Sequence, residues 1–209
     1  PLALLREGDY HAQTPDFDDP SATSLRAILK TGGDISRFVP EAAMAAYQNA
    51  RQYDLFSGER AMLAGLRCLS DTAWAQAAHG SEGLWSKAMK ASREACCYED
   101  LIAAAKSKRY PRTRIQRLLL CAFLGISQQD LSRPISYVRA LAFDETGKAV
   151  LKKLREASGL LIINAGQRPP DDSFYDLELR AGRLYPLFCR DKTIPAGNAE
   201  ETCRIFLKK

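Results

Sequence analysis

Apolar residues recur every three or four positions from residue 35 to about residue 105, a spacing typical of α-helices that each turn one face to a core. Met62 and Leu66 are one such pair, and Trp74 and Trp85 are interpreted as packing residues of the same core. Prolines, glycines and capping residues divide the stretch into separate helices. These predicted helices follow Pro40 and Gly58, start at a cap formed by Asp71, follow Ser81, and span residues 98–108.

The pattern changes after Gly125. Residues 137–143 (YVRALAF) predict a strand, residues 145–158 a helix, and residues 160–164 (LLIIN) a second, buried strand. A strand, helix and strand at this spacing imply one right-handed parallel unit. Residues 172–188 predict a further helix that ends at Pro186. The fold class expected is therefore mainly α with a smaller α/β part.

An earlier helix, in residues 21–33, has well-marked ends. Ser21 can cap its start, and two glycines at 32 and 33 can stop it. The plainer interpretation is an ordinary amphipathic helix. The alternative is an anion site, because Thr23 and Ser24 supply hydroxyls beside Ser21, Arg26 supplies a guanidinium, and the helix start supplies free N–H groups.

Composition limits the class of protein. With 209 residues and 46% apolar content the chain can bury a substantial core, and it contains no run of eighteen apolar residues that would span a membrane. Its six cysteines are scattered and form no CxxC, and its two histidines, His11 and His79, stand alone. We therefore expect reduced thiols and a cytoplasmic location, with no zinc site. The first residue is not Met, which suggests a fragment or a trimmed product.

Charge is concentrated in residues 106–117, KSKRYPRTRIQR, called the basic block below. It holds six cations and no acid, and since the whole chain carries +5, the remainder carries about −1. Pro111 predicts a break near Tyr110 and a new helix from Pro111 to about Leu124. One interpretation is a phosphate-backbone site on which Tyr110 stacks an unpaired base, since a polyanion would relieve the repulsion among the arginines. The other is a solvated basic face.

Several motifs resemble one known family. SATSLR at residues 21–26 looks like the late S-[SA]-T-x-[IL]-R motif of the HIGH-type nucleotidyltransferase superfamily. Nearly the whole chain resembles the bacterial tRNA(Met) cytidine acetate ligase family. Five motifs carry this resemblance, in the same order as in the family: LLREGDYH, PSATSLR, SEGLWSKAMKAS, KSKRYPRTRIQRLLL and YVRALAFDETGKAVL. The basic block is the most specific of these motifs.

The resemblance implies an enzyme that activates acetate with ATP as acetyladenylate and then acetylates N4 of the wobble cytidine of elongator tRNA(Met). ATP and acetate would be its substrates, tRNA(Met) its partner, and Mg²⁺ a candidate companion ion. No catalytic residue and no metal-binding residue is assigned. The resemblance implies ATP binding by Arg6, Glu7, Ser21, Thr23 and Arg26. It implies tRNA binding by Lys106, Lys108, Arg109, Tyr110, Arg112, Arg114 and Arg117.

The N-terminal segment that carries the family's G-x-x-H motif is not found in these 209 residues: Gly8 and His11 have the same spacing, but they belong to the LLREGDYH motif. The sequence is therefore interpreted as a C-terminal portion of such an enzyme. The expected domains are the edge of a nucleotidyltransferase-like domain in residues 1–40, a helical tRNA-binding domain in 41–130 and a small α/β domain in 131–209. Two alternatives stay open: another nucleotidyltransferase of the superfamily, and a helical RNA-binding module without catalysis.

Overall fold

The computed structural model describes residues 20–170 and 173–207. The chain forms two compact units, one up to Arg51 and one from Gln52 onward. This grouping differs from the expected domain boundaries, because residues 41–51 cluster with the residues before them. Residues 131–209 cluster with the helical residues from 52 onward. The arrangement as three domains stays a prediction.

Within residues 20–51, the described part of the first unit, two helices of nine residues each occur, α1 (Ala22–Lys30) and α2 (Glu41–Asn49). Ser21 caps α1 as predicted, its Oγ accepting a hydrogen bond from the N–H of Ser24 at 3.0 Å. The chain leaves α1 through Gly32, whose φ of +75° lies in the left-handed region that favours glycine. Pro40 precedes α2, also as predicted.

Five helices open the second unit: α3 (Glu59–Cys68), α4 (Asp71–Gln76), α5 (Leu84–Glu94), α6 (Tyr98–Ala105) and α7 (Arg112–Leu124). Two predicted starts were wrong. Ser70, not Asp71, caps α4 by accepting from the Ala73 N–H at 3.1 Å. Helix α5 begins after Gly83, whose φ is +85°, and not directly after Ser81.

The core of this helical part contains the predicted apolar faces. Seven of its side chains are almost completely buried within one cluster: Leu66, Trp74, Leu84, Leu101, Ile115, Leu118 and Leu119. Trp74 fills the middle and satisfies its indole by donating to the carbonyl of Leu66 at 3.2 Å. Trp85 packs against the cluster from its edge. Both tryptophans therefore pack as predicted.

The α/β part is built on β1 (Tyr137–Ala140), α8 (Glu145–Ser158) and β3 (Leu161–Asn164), with β1 parallel to β3. The predicted strand 137–143 is in fact two, because β2 (Ala142–Phe143) leaves β1 and pairs with β4 (Phe206–Leu207). The predicted burial of LLIIN was wrong: of β3 only Ile163 is buried. A short apolar run signals a strand but not its burial when just one partner strand covers it.

Helix α9 (Ser173–Leu184) continues into a 3₁₀ turn, Tyr185–Phe188, which contains Pro186. The predicted helix end therefore falls just before the proline, as its missing N–H requires. Helix α10 (Ala199–Thr202) follows. The mainly helical class with a small parallel sheet is confirmed. Across residues 20–170 and 173–207, no helix has both the length and the apolar character needed to cross a lipid bilayer.

Candidate nucleic-acid interface

The basic block lies on the turn between α6 and α7 and on the first turns of α7. Lys106 caps the end of α6, and Ser107 and Tyr110 close the turn by exchanging backbone hydrogen bonds of 3.4 and 3.2 Å. Pro111 then precedes α7, one residue from the predicted start. The local sequence thus places the six cations at one end of the helical core, as expected from the proline and the apolar face.

The six cations fall into two sets. Lys106, Lys108 and Arg117 are exposed and make no ion pair with any described residue. Lys87 of α5 adds a cation beside them, because its Nζ donates to the carbonyl of Lys106 at 3.2 Å. This first set offers charges that bulk solvent or a polyanion can reach.

The second set is paired with two glutamates. Arg112 binds Glu99 through two hydrogen bonds of 2.7 and 2.6 Å. Arg114 binds Glu82 at 2.8 Å and Ser81 Oγ at 2.9 Å, while Arg109 lies 3.5 Å from the other oxygen of Glu82. The block and its two glutamates together carry a formal +4, from six cations and two carboxylates.

These pairs correct one part of the sequence interpretation. Cations near a helix N-terminus are unfavourable, and a polyanion was expected to relieve them. The chain's own Glu82 and Glu99 already do so for three of the arginines. Hydrogen bonds from Arg114 and then Arg109 lower the pKa of Glu82, and Arg112 lowers that of Glu99. Glu82 lies 32 positions before Arg114 and Glu99 lies 13 positions before Arg112, so neither pair falls within the three- or four-residue spacing of a helical pattern.

Tyr110 does not have the role that was predicted for it. The residue is only 8% exposed, its ring belongs to the helical core, and its hydroxyl donates to the carbonyl of Glu82. Arg109 and Arg114 lie 5.9 and 5.6 Å from the ring centroid. A ring so covered has no free face for a base, so Tyr110 is a packing residue that fixes the loop before α5.

That loop has an unusual backbone. Glu82 has a φ of +61° and His79 a φ of +66°, a region that non-glycine residues rarely adopt. The hydrogen bond from Tyr110 to the Glu82 carbonyl and the pair with Arg114 hold the loop in place. As a result, the carboxylate of Glu82 lies between two arginines of the block.

The candidate nucleotide edge lies at the start of α1. Thr23 and Arg26 are exposed, and the N–H groups of Ala22 and Thr23 bind no acceptor among the described residues. Ser21, by contrast, is buried, and its hydroxyl is engaged in capping Ser24. Thr23 and Arg26 are therefore better placed than the Ser21 hydroxyl to meet a phosphate. Arg6 and Glu7 lie outside the described residues.

No group of three or more His, Cys, Asp or Glu side chains that could hold a metal ion occurs in the described part of the chain. Mg²⁺ usually keeps several waters and needs only one or two carboxylates besides substrate phosphates. No protein ligand is assigned to it here.

A family model described as HIGH Nucleotidyl Transferase matches residues 1–200. The chain therefore belongs to the HIGH nucleotidyl transferase family. Within it, the chain is 28% identical over 194 residues to the tRNA(Met) cytidine acetate ligase of Anoxybacillus flavithermus, covering 84% of this chain and 47% of that protein. It is 30% identical over 203 residues to the protein of the same name from Clostridium botulinum strain Kyoto, covering 90% and 48%.

The fold also resembles solved structures. Crystal structures of Thermotoga maritima TmcAL match with TM-scores of 0.77 for an apo form and 0.74 for a form bound to alpha-thio ATP. Identity is 20% and 21%, and the matches cover 97% and 90% of this chain but 54% and 52% of those chains. The chain thus spans about half the length of the relatives it matches.

Proposed function

We propose that this chain is the tRNA-contacting part of an ATP-dependent ligase that acetylates N4 of the wobble cytidine of elongator tRNA(Met). Three matches support the proposal: the family model, the names of the relatives, and an ATP-analogue complex of a protein with this fold. The reaction is proposed for a protein that also contains the half of those relatives that this chain does not span. The three-domain arrangement and the nucleotide edge at α1 belong to the same proposal.

The observation that carries the proposal is the exposed set of the basic block. Lys106, Lys108 and Arg117 are solvent-accessible and have no acidic partner among the described residues. Each can neutralise one RNA phosphate and release its counterion, which is the main source of affinity in such complexes. The paired arginines hold the turn and the start of α7, which together present these three cations.

The chemistry has two steps. A carboxylate oxygen of acetate attacks the α-phosphorus of ATP and displaces pyrophosphate, which gives acetyladenylate. The N4 amine of cytidine then attacks the acetyl carbon, AMP leaves, and the amine loses a proton. Neither step needs a side-chain nucleophile, so cations and helix N–H groups that stabilise phosphate charge are the expected contribution of the protein. In this proposal Thr23 and Arg26 supply such groups.

A tRNA titration tests the RNA-binding part. Replacing Lys106, Lys108 and Arg117 together with Ala should flatten the log–log salt dependence of tRNA(Met) affinity by about 2, since each phosphate contact contributes about 0.7. The matched control replaces three exposed cations of α8, Lys152, Lys153 and Arg155, and should keep the parental slope. Equal slopes for both triple variants at unchanged melting temperature would contradict the assignment.

Exchange of labelled pyrophosphate into ATP, dependent on acetate, tests the catalytic part. The protein assayed is the full gene product that contains this sequence. Arg26→Ala should weaken its use of ATP by about 1.5 to 3 kcal/mol, the range for a hydrogen bond to a charged group. Exchange without tRNA binding would favour another nucleotidyltransferase of the family. Binding of tRNA without exchange would favour the non-catalytic RNA-binding module.

A further inference from the structure

A large open cavity lies in the second unit, apart from the basic block. Its volume is about 880 Å³, within the range of pockets that bind small molecules. Its walls are formed by the end of α7, by α9, by the 3₁₀ turn at Tyr185–Phe188 and by residues 195–200. Most of the lining is apolar, through side chains such as Leu120 and Phe123.

The lining also contains a charged cluster formed by Arg139, Glu178 and Glu200. The Arg139 guanidinium, largely buried, lies 2.6 Å from an oxygen of Glu200 and 3.5 Å from one of Glu178. Burial opposes the charge on Arg139, but Glu178 and Glu200 outweigh it and raise its pKa. Two carboxylates around one guanidinium leave a formal surplus of one negative charge. This cluster can therefore accept hydrogen bonds from a donor-rich group while Arg139 donates to a neighbouring acceptor.

A glycine allows this arrangement. Gly182 of α9 lies under Glu200, and a Cβ at position 182 would come within 2.6 Å of the Glu200 Cγ. Any larger residue would push Glu200 away. The missing side chain therefore lets Glu200 approach α9 closely within the charged cluster.

An exposed aromatic ring also lines the cavity. Tyr185 is 57% exposed and stacks on Tyr53 with ring centroids 4.4 Å apart and planes 23° apart. Tyr53 covers one face of the Tyr185 ring, so a third planar ring could extend the stack on the other. Sequence reasoning placed a stacking residue at Tyr110, which is buried. Tyr185 is the aromatic residue at this cavity that has the accessible surface such a role needs.

The cavity and the basic block share one helix. Residues 112–117 of the block form the first turns of α7, and Leu120, Phe123 and Leu124 near its end line the cavity. Eleven residues of helix separate Arg112 from Phe123, about 16 Å at the usual rise. A few nucleotides of single-stranded RNA can cover that distance. A strand whose phosphates meet the block can thus place a base in the cavity.

We infer that the cavity binds one unpaired nucleobase that carries an exocyclic amino group. The inference rests on the proposed RNA-binding function. The amino group would donate to Glu200 or Glu178, Arg139 would donate to the adjacent ring nitrogen or carbonyl, and Tyr185 would stack on the ring. A phosphate is disfavoured by the surplus negative charge, and uracil lacks the amino donor.

Short oligonucleotides provide the test, using the 209-residue chain. Oligo(C) and oligo(U) of equal length carry equal phosphate charge, so their affinity difference isolates the base. We expect oligo(C) to bind more tightly than oligo(U). Tyr185→Ala should weaken oligo(C) binding about 5- to 150-fold without changing the salt slope, and Tyr185→Phe should retain affinity. Glu200→Gln should reduce the preference for oligo(C) over oligo(U).

The outcomes separate this inference from the proposed function. If the Lys106/Lys108/Arg117 variant loses RNA affinity but Tyr185→Ala does not, the basic block binds RNA and the cavity inference is wrong. If the parental chain binds neither oligonucleotide nor tRNA, both are wrong. Equal affinity of the parent for oligo(C) and oligo(U) also overturns the amino-group assignment. If Glu200→Gln lowers the melting temperature, the two Tyr185 variants alone decide whether the cavity binds a base, because the Tyr185 side chain is exposed.

Discussion

Glu82 is expected to weaken the binding of RNA to the basic block, because its carboxylate neutralises Arg109 and Arg114 at 3.5 and 2.8 Å. Glu82→Gln removes the charge but keeps the size of the side chain. The backbone carbonyl of residue 82, which accepts from Tyr110, is unaffected. We therefore expect the loop to keep its conformation while two arginines gain counterions that RNA can release.

The magnitude follows from counterion release. Two further phosphate contacts steepen the log–log salt slope by about 1.4, at about 0.7 each. Salt raised from 50 to 200 mM changes log concentration by about 0.6. The fall in affinity across that range should then be about seven times larger than for the parent. Affinity at 50 mM salt should also increase.

Fluorescence anisotropy of labelled tRNA(Met) at four or more salt concentrations measures both quantities. Glu94→Gln is the matched control, because Glu94 is exposed at the far end of α5 and makes no ion pair among the described residues. Ten residues of α5, about 15 Å, separate it from the Glu82 end. That separation exceeds the Debye length of about 10 Å at 0.1 M salt. An unchanged slope for Glu82→Gln, with unchanged melting, would refute the view that Glu82 keeps these two arginines from RNA phosphates.

Three further predictions concern folding stability. Asp130 accepts hydrogen bonds from Ser127 and pairs with Arg133, which lowers its pKa to about 2. The stability that this lowered pKa provides is complete above the unfolded pKa near 3.8 and is lost as pH falls toward 2. Asp130→Asn should therefore lower the free energy of unfolding by about 1 to 2 kcal/mol at pH 7 and by almost nothing at pH 2, as measured by urea unfolding. Leu118→Ala, at a fully buried position, should cost about 2 to 5 kcal/mol in the same assay, and a cost under 1 would mean that the core collapses around the gap. Tyr110→Phe removes the hydrogen bond to the Glu82 carbonyl and should lower the free energy of unfolding by about 0.5 to 1.5 kcal/mol. The salt slope of tRNA binding should stay unchanged. A changed slope would show that the loop positions the arginines.

The sequence by itself determined the helical elements and the position of the basic block. Pro111 and the apolar face of Ile115, Leu118 and Leu119 predicted α7, and all three leucine and isoleucine side chains are buried. The charge of the block was equally readable, because six cations without an acid stand in twelve consecutive residues. Such signals are local, since capping and helical periodicity act over about four residues.

Tertiary structure alone decided which of these side chains are free. Glu82 and Arg114 are 32 positions apart in sequence, and Tyr110 meets the Glu82 carbonyl across 28. The burial of Tyr110 and the exposure of Tyr185 depend on how α5, α7 and the 3₁₀ turn pack, and no spacing rule encodes that. A charge pattern gives the number of cations, but only the folded chain brings carboxylates from distant segments close enough to pair with them. Coulomb attraction in partly solvated sites is appreciable only within a few ångströms, so the long-range fold sets the electrostatics of the site.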